Sequence, residues 1–322
     1  VRYNQYIYKA RAVQQMNTPR QGAQVNTMVS DHYEIYRVKD VVSQQKTIYH
    51  SHDFYEIHAT LEGEATFYLD GKQFTIQAGT VLLIHYHDLH RIVKQSTEVF
   101  ERVYTFLTPS FLASRSTSFS NLEECFQPFG DRKSRILQVD PEILRQQLEF
   151  SQTSPAKEVY GDDILYEQKL VDYLIFLNRV VQNLENDDHP KALVQNERIE
   201  KMIQYISRNL SNPLTLEEME KHFFVSRYYI TREFKKHTGT TFHQYVMKKK
   251  LIYAKQLLRE YRSSSAVYSK CGFVSYPHFL KVFKKEFGLT PKEFLKRDAK
   301  KELIHYHHFE EEVIAPERLP EQ

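Results

Sequence analysis

The chain has 322 residues, 41% hydrophobic and 26% charged, which excludes a wholly disordered or collagen-like polymer and suffices for about two domains of roughly 150 residues each. The net charge of +3 hides a split: residues 197–297 hold 21 Lys and Arg against 9 Asp and Glu, a balance of +12, leaving −9 on the rest. The greasiest run, 170–181, carries Asp172, Asn178 and Arg179 and is too short for a spanning helix, the N-terminus shows no apolar signal core, and two cysteines, Cys125 and Cys271, make no disulfide framework, so a cytoplasmic chain is expected.

Residues 33–106 read as short alternating segments broken by turns at Gly63, Gly71 and Gly79. Asp70-Gly71 is a two-residue hairpin signal between strands over 65–69 and 72–76. Strands at this spacing predict a small barrel or jelly roll. One segment carries chemistry. His50, His52, Phe54 and Glu56 alternate along one predicted strand and share a face. His85, His87 and His90 come later, after Gly79.

This pattern resembles the two motifs of the cupin barrel. His50, His52, Glu56 and Gly63 match the first motif; Gly79 and His90 match the second, with His85 and His87 where Pro and Gly usually stand. Three readings stay open. His50, His52, Glu56 and His90 could hold a divalent metal such as Zn, Mn, Fe or Ni. The same groups could hydrogen-bond a small polar ligand, with Phe54, Tyr55 or Tyr86 stacking on a sugar face. They could also be satisfied polar residues at the barrel mouth. The resemblance implies an effector-binding barrel, often for a sugar. His85 and His87 read as loop residues.

In the middle of the chain, Leu170, Leu174, Leu177, Val181 and Leu184 step by 4, 3, 4 and 3, which predicts a coiled-coil seam and a homodimer. A helix packed only on its own barrel is the competing reading. The polar stretch 185–190 ends in Pro190 and predicts a linker.

The basic block contains a hidden repeat. Residues 226–239 recur 49 residues later as 275–288: Ser226 aligns with Ser275, Ile230 with Phe279, Phe234 with Phe283, the lysine pair 235–236 with 284–285, and Gly239 with Gly288. Each copy predicts a serine N-cap, an inward apolar stripe, cations in the last turn and a glycine stop. A short helix precedes each copy, over 216–223 (capped by Thr215) and 264–271. A helix over 242–258 joins the two. Short helix, tight turn and capped basic helix make a helix-turn-helix, here twice.

From Ile199 to Lys296 the block resembles the DNA-binding domain of the AraC/XylS family of bacterial transcription regulators, down to Pro213-Leu214-Thr215-Leu216 and the Gly272-Phe273 to Pro291 signature. Cupin sensor domains commonly precede such domains. The resemblance implies that Arg227, Tyr228, Thr231 and Arg232 of the first reader, and Tyr276, Pro277, His278 and Lys281 of the second, face DNA. Glu220, Ser264 and Tyr268 depart from the family pattern at the helix crossings, and Leu280 offers only an apolar contact. Arg232 has the fork for a bidentate contact to guanine.

The sequence thus predicts an α+β chain: an N-terminal cupin-like or jelly-roll β-barrel (1–140), a helical dimerisation segment (141–185), a linker (186–194), an all-α double helix-turn-helix domain (195–297) and an acidic, partly disordered tail (298–322), whose His305, His307 and His308 carry no metal. The expected protein is a sequence-specific transcription regulator on double-stranded DNA, answering to a small-molecule effector of the sugar class. It has no catalytic residues and no membrane partner, and RNA polymerase is a further candidate partner. The alternatives are a metal-dependent cupin enzyme fused to a DNA-binding module and a ligand-independent constitutive activator.

Overall fold

A computed structural model describes residues 28, 30–40, 49–86, 88–93, 98–127, 136–153, 155, 159–183 and 196–298. The predicted linker at 186–194, all but the first residue of the tail, Leu184 and His87 lie outside the described residues. The chain divides into two compact units, one essentially up to Asn196 and one from Glu197 onward.

The first unit carries β1 (Tyr33–Asp40), β2 (Tyr55–Glu62), β3 (Glu64–Leu69), β4 (Lys72–Gln77), β5 (Thr80–Ile84), β6 (His90–Val93), β7 (Phe100–Leu107) and β8 (Ile136–Gln138). Asp70 and Gly71 both adopt positive φ (45° and 84°), the mirror-image turn that matches strand twist, and they join β3 to β4 as predicted. All pairings are antiparallel and fall into two sheets, ordered β1-β7-β2-β5-β8 and β4-β3-β6. The expectation of a closed barrel is corrected here. Among the described residues no ladder joins the edges of the two sheets, and only an isolated bridge between His50 and His90 ties the approach to β2 to the smaller sheet. The domain is an open double-sheet arrangement of the jelly-roll kind.

Alternation along β2 sorts its side chains into two layers. Tyr55, Ile57, Ala59 and Leu61 enter a core with α1 (Pro109–Arg115), α2 (Pro141–Gln147) and α3 (Asp162–Asn183). Glu56, His58 and Thr60 take the opposite face, that of Leu82 and Ile84, which share a second core with Phe67, Phe74 and Ile76 of the smaller sheet. The leucine stripe of α3 corrects a second expectation. Leu170, Leu174 and Leu177 are 0% exposed inside this unit's own core, with Val181 packed at its margin, so they present no seam to a partner. A heptad stripe and the inward stripe of a helix lying on a sheet have nearly the same period, and two heptads do not separate them.

The second unit is helical: α4 (Glu197–Arg208), α5 (Leu216–Phe223), α6 (Arg227–Thr238), α7 (Phe242–Tyr261), α8 (Ser264–Lys270) and α9 (Tyr276–Phe287). Thr215 and Glu218 form a reciprocal capping box at the start of α5, and Ser226 Oγ accepts from the Tyr229 N–H (3.2 Å) at the start of α6. Ser275 has the extended cap backbone but makes no side-chain cap bond. Pro277, at the second helical position, lacks one of the two N–H groups a cap would take. Ile230, Phe234, Phe279 and Phe283 are buried as the repeat predicts.

One buried cation joins the readers. Lys250 of α7 donates from Nζ to the carbonyls of Asn212 (2.5 Å), Pro213 (3.1 Å) and Gly272 (3.0 Å), so its three N–H groups meet one loop before α5 and the turn between α8 and α9. Gly272 has φ +68°, and a Cβ there would stand 2.5 Å from Lys250 Nζ and 2.6 Å from the Asn212 carbonyl. Replacing Lys250→Met strands these carbonyls, and Gly272→Ala strains the turn. Each is expected to lower the unfolding free energy by about 2–4 kcal/mol, read by urea denaturation.

Candidate functional site

The first candidate site lies where the two sheets meet. His52 sits just ahead of the bend that leads into β2, Glu56 on β2 and His90 at the start of β6, all buried. His52 Nε2 is 2.8 Å and His90 Nε2 3.4 Å from Glu56 Oε2, the latter an ion-pair distance rather than a short hydrogen bond. The other ring nitrogens face carbonyls: His52 Nδ1 donates to Phe54 O (2.7 Å) and His90 Nδ1 to Asp88 O (3.2 Å). The sequence reading put 50, 52, 54 and 56 on one strand; β2 in fact begins only at Tyr55, and His50 instead exchanges backbone bonds with His90, its ring centroid 4.3 Å from that of His90.

The electrostatics follow from burial and contact. Desolvation opposes a charge on Glu56, but the two imidazoles outweigh it and hold the carboxyl well below its usual range. Desolvation pulls His52 down, partly offset by Glu56. It also pulls on His90, whose contacts with Glu56 prevail and raise it. The contacts thus favour the ionised carboxylate, and of the two imidazoles His90 is the one whose charged form they favour.

An aromatic wall adjoins the set. Phe54 stacks on His52 (4.0 Å, 2°) and meets Phe106 (4.8 Å), which in turn meets Tyr36 (5.5 Å) and Tyr104 (6.1 Å). Tyr36 donates to Glu34 (2.6 Å). Tyr55, proposed as a stacking residue, points the other way, donating to Glu123 within the helical layer near His85. Sequence reasoning missed His58, Thr60, Arg102 and Tyr104. Register places Tyr104 beside His58 and Arg102 beside Thr60 on the face of Glu56, and extending the alternation two steps past Glu56 would have found the β2 pair.

Among the described residues, His52, Glu56 and His90 are the set whose donor atoms lie within 4.8 Å of one another, so two imidazoles and a carboxylate could hold a divalent metal, with His50 outside the set. The donors suit such an ion. His52 Nδ1 is committed to a carbonyl, so the 2.8 Å contact at Nε2 needs either an imidazolium, which burial opposes, or another cation.

The second candidate site is the exposed face of the readers. Tyr228, Thr231 and Arg232 of α6 and Pro277, His278 and Lys281 of α9 are exposed, as is Arg227. Arg227 is tied to α5, its guanidinium pairing with Glu217 (2.9 Å) and Glu220 (3.3 Å) and its backbone N–H donating to Glu220 (3.2 Å). Arg232 pairs with Glu233 (2.8 Å) and stands 5.6 Å over the Tyr228 ring. Tyr276 is half-buried, sharing a hydrogen bond with Ser264 (2.8 Å) and packing on Tyr268 (5.4 Å), and Leu280 packs against the core of the second reader. The three departures from the family pattern therefore compensate locally: Glu220 engages Arg227, and Ser264 and Tyr268 engage Tyr276.

Residues 32–167 match the model of the AraC-like ligand binding domain, and residues 219–297 match that of a helix-turn-helix domain. The HTH-type transcriptional activator RhaS of Enterobacter sp. (strain 638) is 25% identical over 256 residues, covering 78% of this chain and 88% of the relative. RhaS of Klebsiella pneumoniae (strain 342) is 26% identical over the same shares. Apo ToxT of Vibrio cholerae is similar at 16% identity, covering 82% of this chain and 97% of ToxT, with a TM-score of 0.36. The two units define a DNA-binding regulator with a separate ligand-binding domain. The chain belongs to the AraC/XylS family of transcription regulators.

Burial also pushes the His58 ring down to about 4 from 6.5, with Glu56 opposing and Arg102 and His90 reinforcing. Between those two values the unfolded chain binds a proton that the folded chain refuses, so stability falls as pH drops from 6.5 toward 4. The loss attributable to His58 is expected to reach about 3 kcal/mol, measured as the difference in pH-dependent unfolding between the native chain and His58→Leu.

Proposed function

We propose that the chain is a cytoplasmic transcription regulator, not an enzyme, whose N-terminal unit binds a small neutral effector of the sugar class between its two sheets. None of the described helices is long and apolar enough to cross a membrane. The observation that supports the effector reading is the buried His52–Glu56–His90 set beside the wall of Phe54, Phe106, Tyr36 and Tyr104. An ionised carboxylate accepts from hydroxyls, and aromatic faces cover the C–H side of a sugar ring. Occupancy would bias how the two readers engage double-stranded DNA or RNA polymerase, a coupling free energy between two sites. In a homodimer, the second copy would meet not the buried leucine stripe but the start of α3, where Ile164 and Leu165 are exposed next to Val159 and Tyr160.

A footprinting titration on the chain's own promoter, with and without a carbohydrate pool, tests the effector reading. The native protein should change its footprint on addition of the pool, and His52→Ala and Glu56→Ala, once their melting shows a folded chain, should not respond. A native footprint indifferent to every carbohydrate defeats the reading.

Arg232 is the base-reading candidate of the first reader and Lys281 of the second. Arg232→Ala should weaken specific binding by about 1–3 kcal/mol and relax preference at one base position. If Lys281 contacts phosphate, its loss should instead weaken all sequences alike and reduce the salt slope by about 1.

The commitment of both Nδ1 atoms to carbonyls favours a second reading, a divalent metal on His52, Glu56 and His90. Elemental analysis of native protein purified without chelators should then show one equivalent of metal that Glu56→Gln loses; a metal-free native protein removes this reading.

A further inference from the structure

His58 takes no part in the set just described, yet it is 1% exposed and neither ring nitrogen has a hydrogen-bond partner. Thr60 is fully buried, and its hydroxyl is likewise without a partner. Both occupy the face of β2 that carries Glu56, one and two alternations further along. Buried polar groups in native proteins are nearly always paired, so three orphaned atoms in one row call for an explanation.

The surroundings are specific. The His58 ring lies between Phe67 (6.0 Å) and Phe100 (6.3 Å) and edge-on to Tyr104 (5.0 Å). Strand rise puts the inward groups of Glu56 and His58 about 7 Å apart, the width of one sugar ring with its hydroxyls. Glu56 only accepts hydrogen bonds. The two unpartnered ring nitrogens of an imidazole can offer one donor and one acceptor, and a threonine hydroxyl offers the same pair. A hydroxyl group satisfies each of these; a carboxylate or phosphate would leave the imidazole's acceptor facing an anion and would repel Glu56, while the Arg102 guanidinium on this face is already engaged with the Tyr104 hydroxyl (2.9 Å) and the Phe100 carbonyl (3.4 Å).

We propose that His58, with Thr60 beside it, is a second hydrogen-bonding subsite of the effector cleft and restricts the effector to neutral, hydroxyl-bearing molecules. This rests on the effector reading above. It adds a selectivity, neutral over anionic, and assigns it to a residue outside the sequence motif.

The test uses the full chain, with dye-reported melting and titration calorimetry, since the protein has no tryptophan to report binding. The probes are common aldoses and alditols, including D-glucose and D-galactose, set against D-glucose 6-phosphate and D-galacturonate. At least one neutral sugar should raise the melting temperature of the native chain, and its anionic counterpart should bind at least tenfold more weakly. His58→Leu, which removes two orphaned atoms, should melt no lower than native without ligand yet bind the sugar at least tenfold more weakly. His58→Gln, which keeps a donor and an acceptor, should recover most of that affinity. Native-like affinity in His58→Leu overturns the subsite. So does a native chain that prefers the anion, and this comparison needs no variant to fold. A His58→Leu protein that melts lower but binds normally shows that the ring holds an ordered water for the fold only, and also overturns it. A native chain that responds to no carbohydrate defeats the effector reading itself, a result distinct from all of these.

Discussion

A carboxylate buried with two imidazoles at the meeting of two sheets is the constraint on which the first unit depends. An ionised Glu56 away from water is tolerable only with partners in contact, because desolvation of an unpaired carboxylate costs several kcal/mol. Its partners come from different places: His52 from the segment leading into β2 and His90 from the smaller sheet. The contact therefore links the sheets as well as building the site. The backbone bridge between His50 and His90 fixes the same junction, with reciprocal N–H···O bonds of 3.0 Å. The histidines that read as ligands in the sequence are thus also what registers one sheet against the other.

The second unit solves the analogous problem with a cation. Two readers built from an internal repeat must keep a fixed geometry to meet successive grooves. Lys250 supplies part of that geometry by saturating its ammonium with carbonyls from both ends of the unit, and Gly272 makes room for it. The readers are not equivalent. The first has a true serine cap, and Arg227 is neutralised by two glutamates of α5. The second gives up its cap bond to Pro277 and anchors Tyr276 on Ser264 and Tyr268. The two glutamates make the N-terminus of α6 less cationic than a count of arginines suggests.

The repeat, the caps at Thr215 and Ser226, the glycine stops and the hairpin at Asp70-Gly71 were legible because each is a local rule with a fixed offset. His52, Glu56 and His90 were legible because their spacing resembles a known motif. Three things were not. Barrel closure depends on edge pairing between distant strands, which no local pattern encodes. The role of the Leu170 stripe depends on what covers it, and α3 lies on its own sheet. His58 and Thr60 hid inside an ordinary-looking strand, because a polar residue alternating with apolar ones reads as solvent-facing on a half-exposed sheet. Here the polar face is the inner one, covered by the smaller sheet, and the apolar face packs under helices.

That inversion bears on how a ligand signal would leave the site. Each residue of β2 commits its neighbours: Glu56 and His58 face the smaller sheet, while Tyr55, Ile57 and Ala59, which alternate with them, are packed in the same core as Leu170, Tyr173 and Leu174 of α3. Close-packed interiors respond to displacement by repacking rather than by smooth deformation. A ligand that draws Glu56 or His58 inward must therefore move the intervening residues against α3, since strand geometry gives the two faces no independent freedom. In sequence, α3 is the last described element before the DNA-binding unit begins at Glu197. On the proposed effector reading, the strand is a short path from site to helix, because β2 and α3 share one core. The energy available to drive it is limited to the ligand's differential affinity for the two packings.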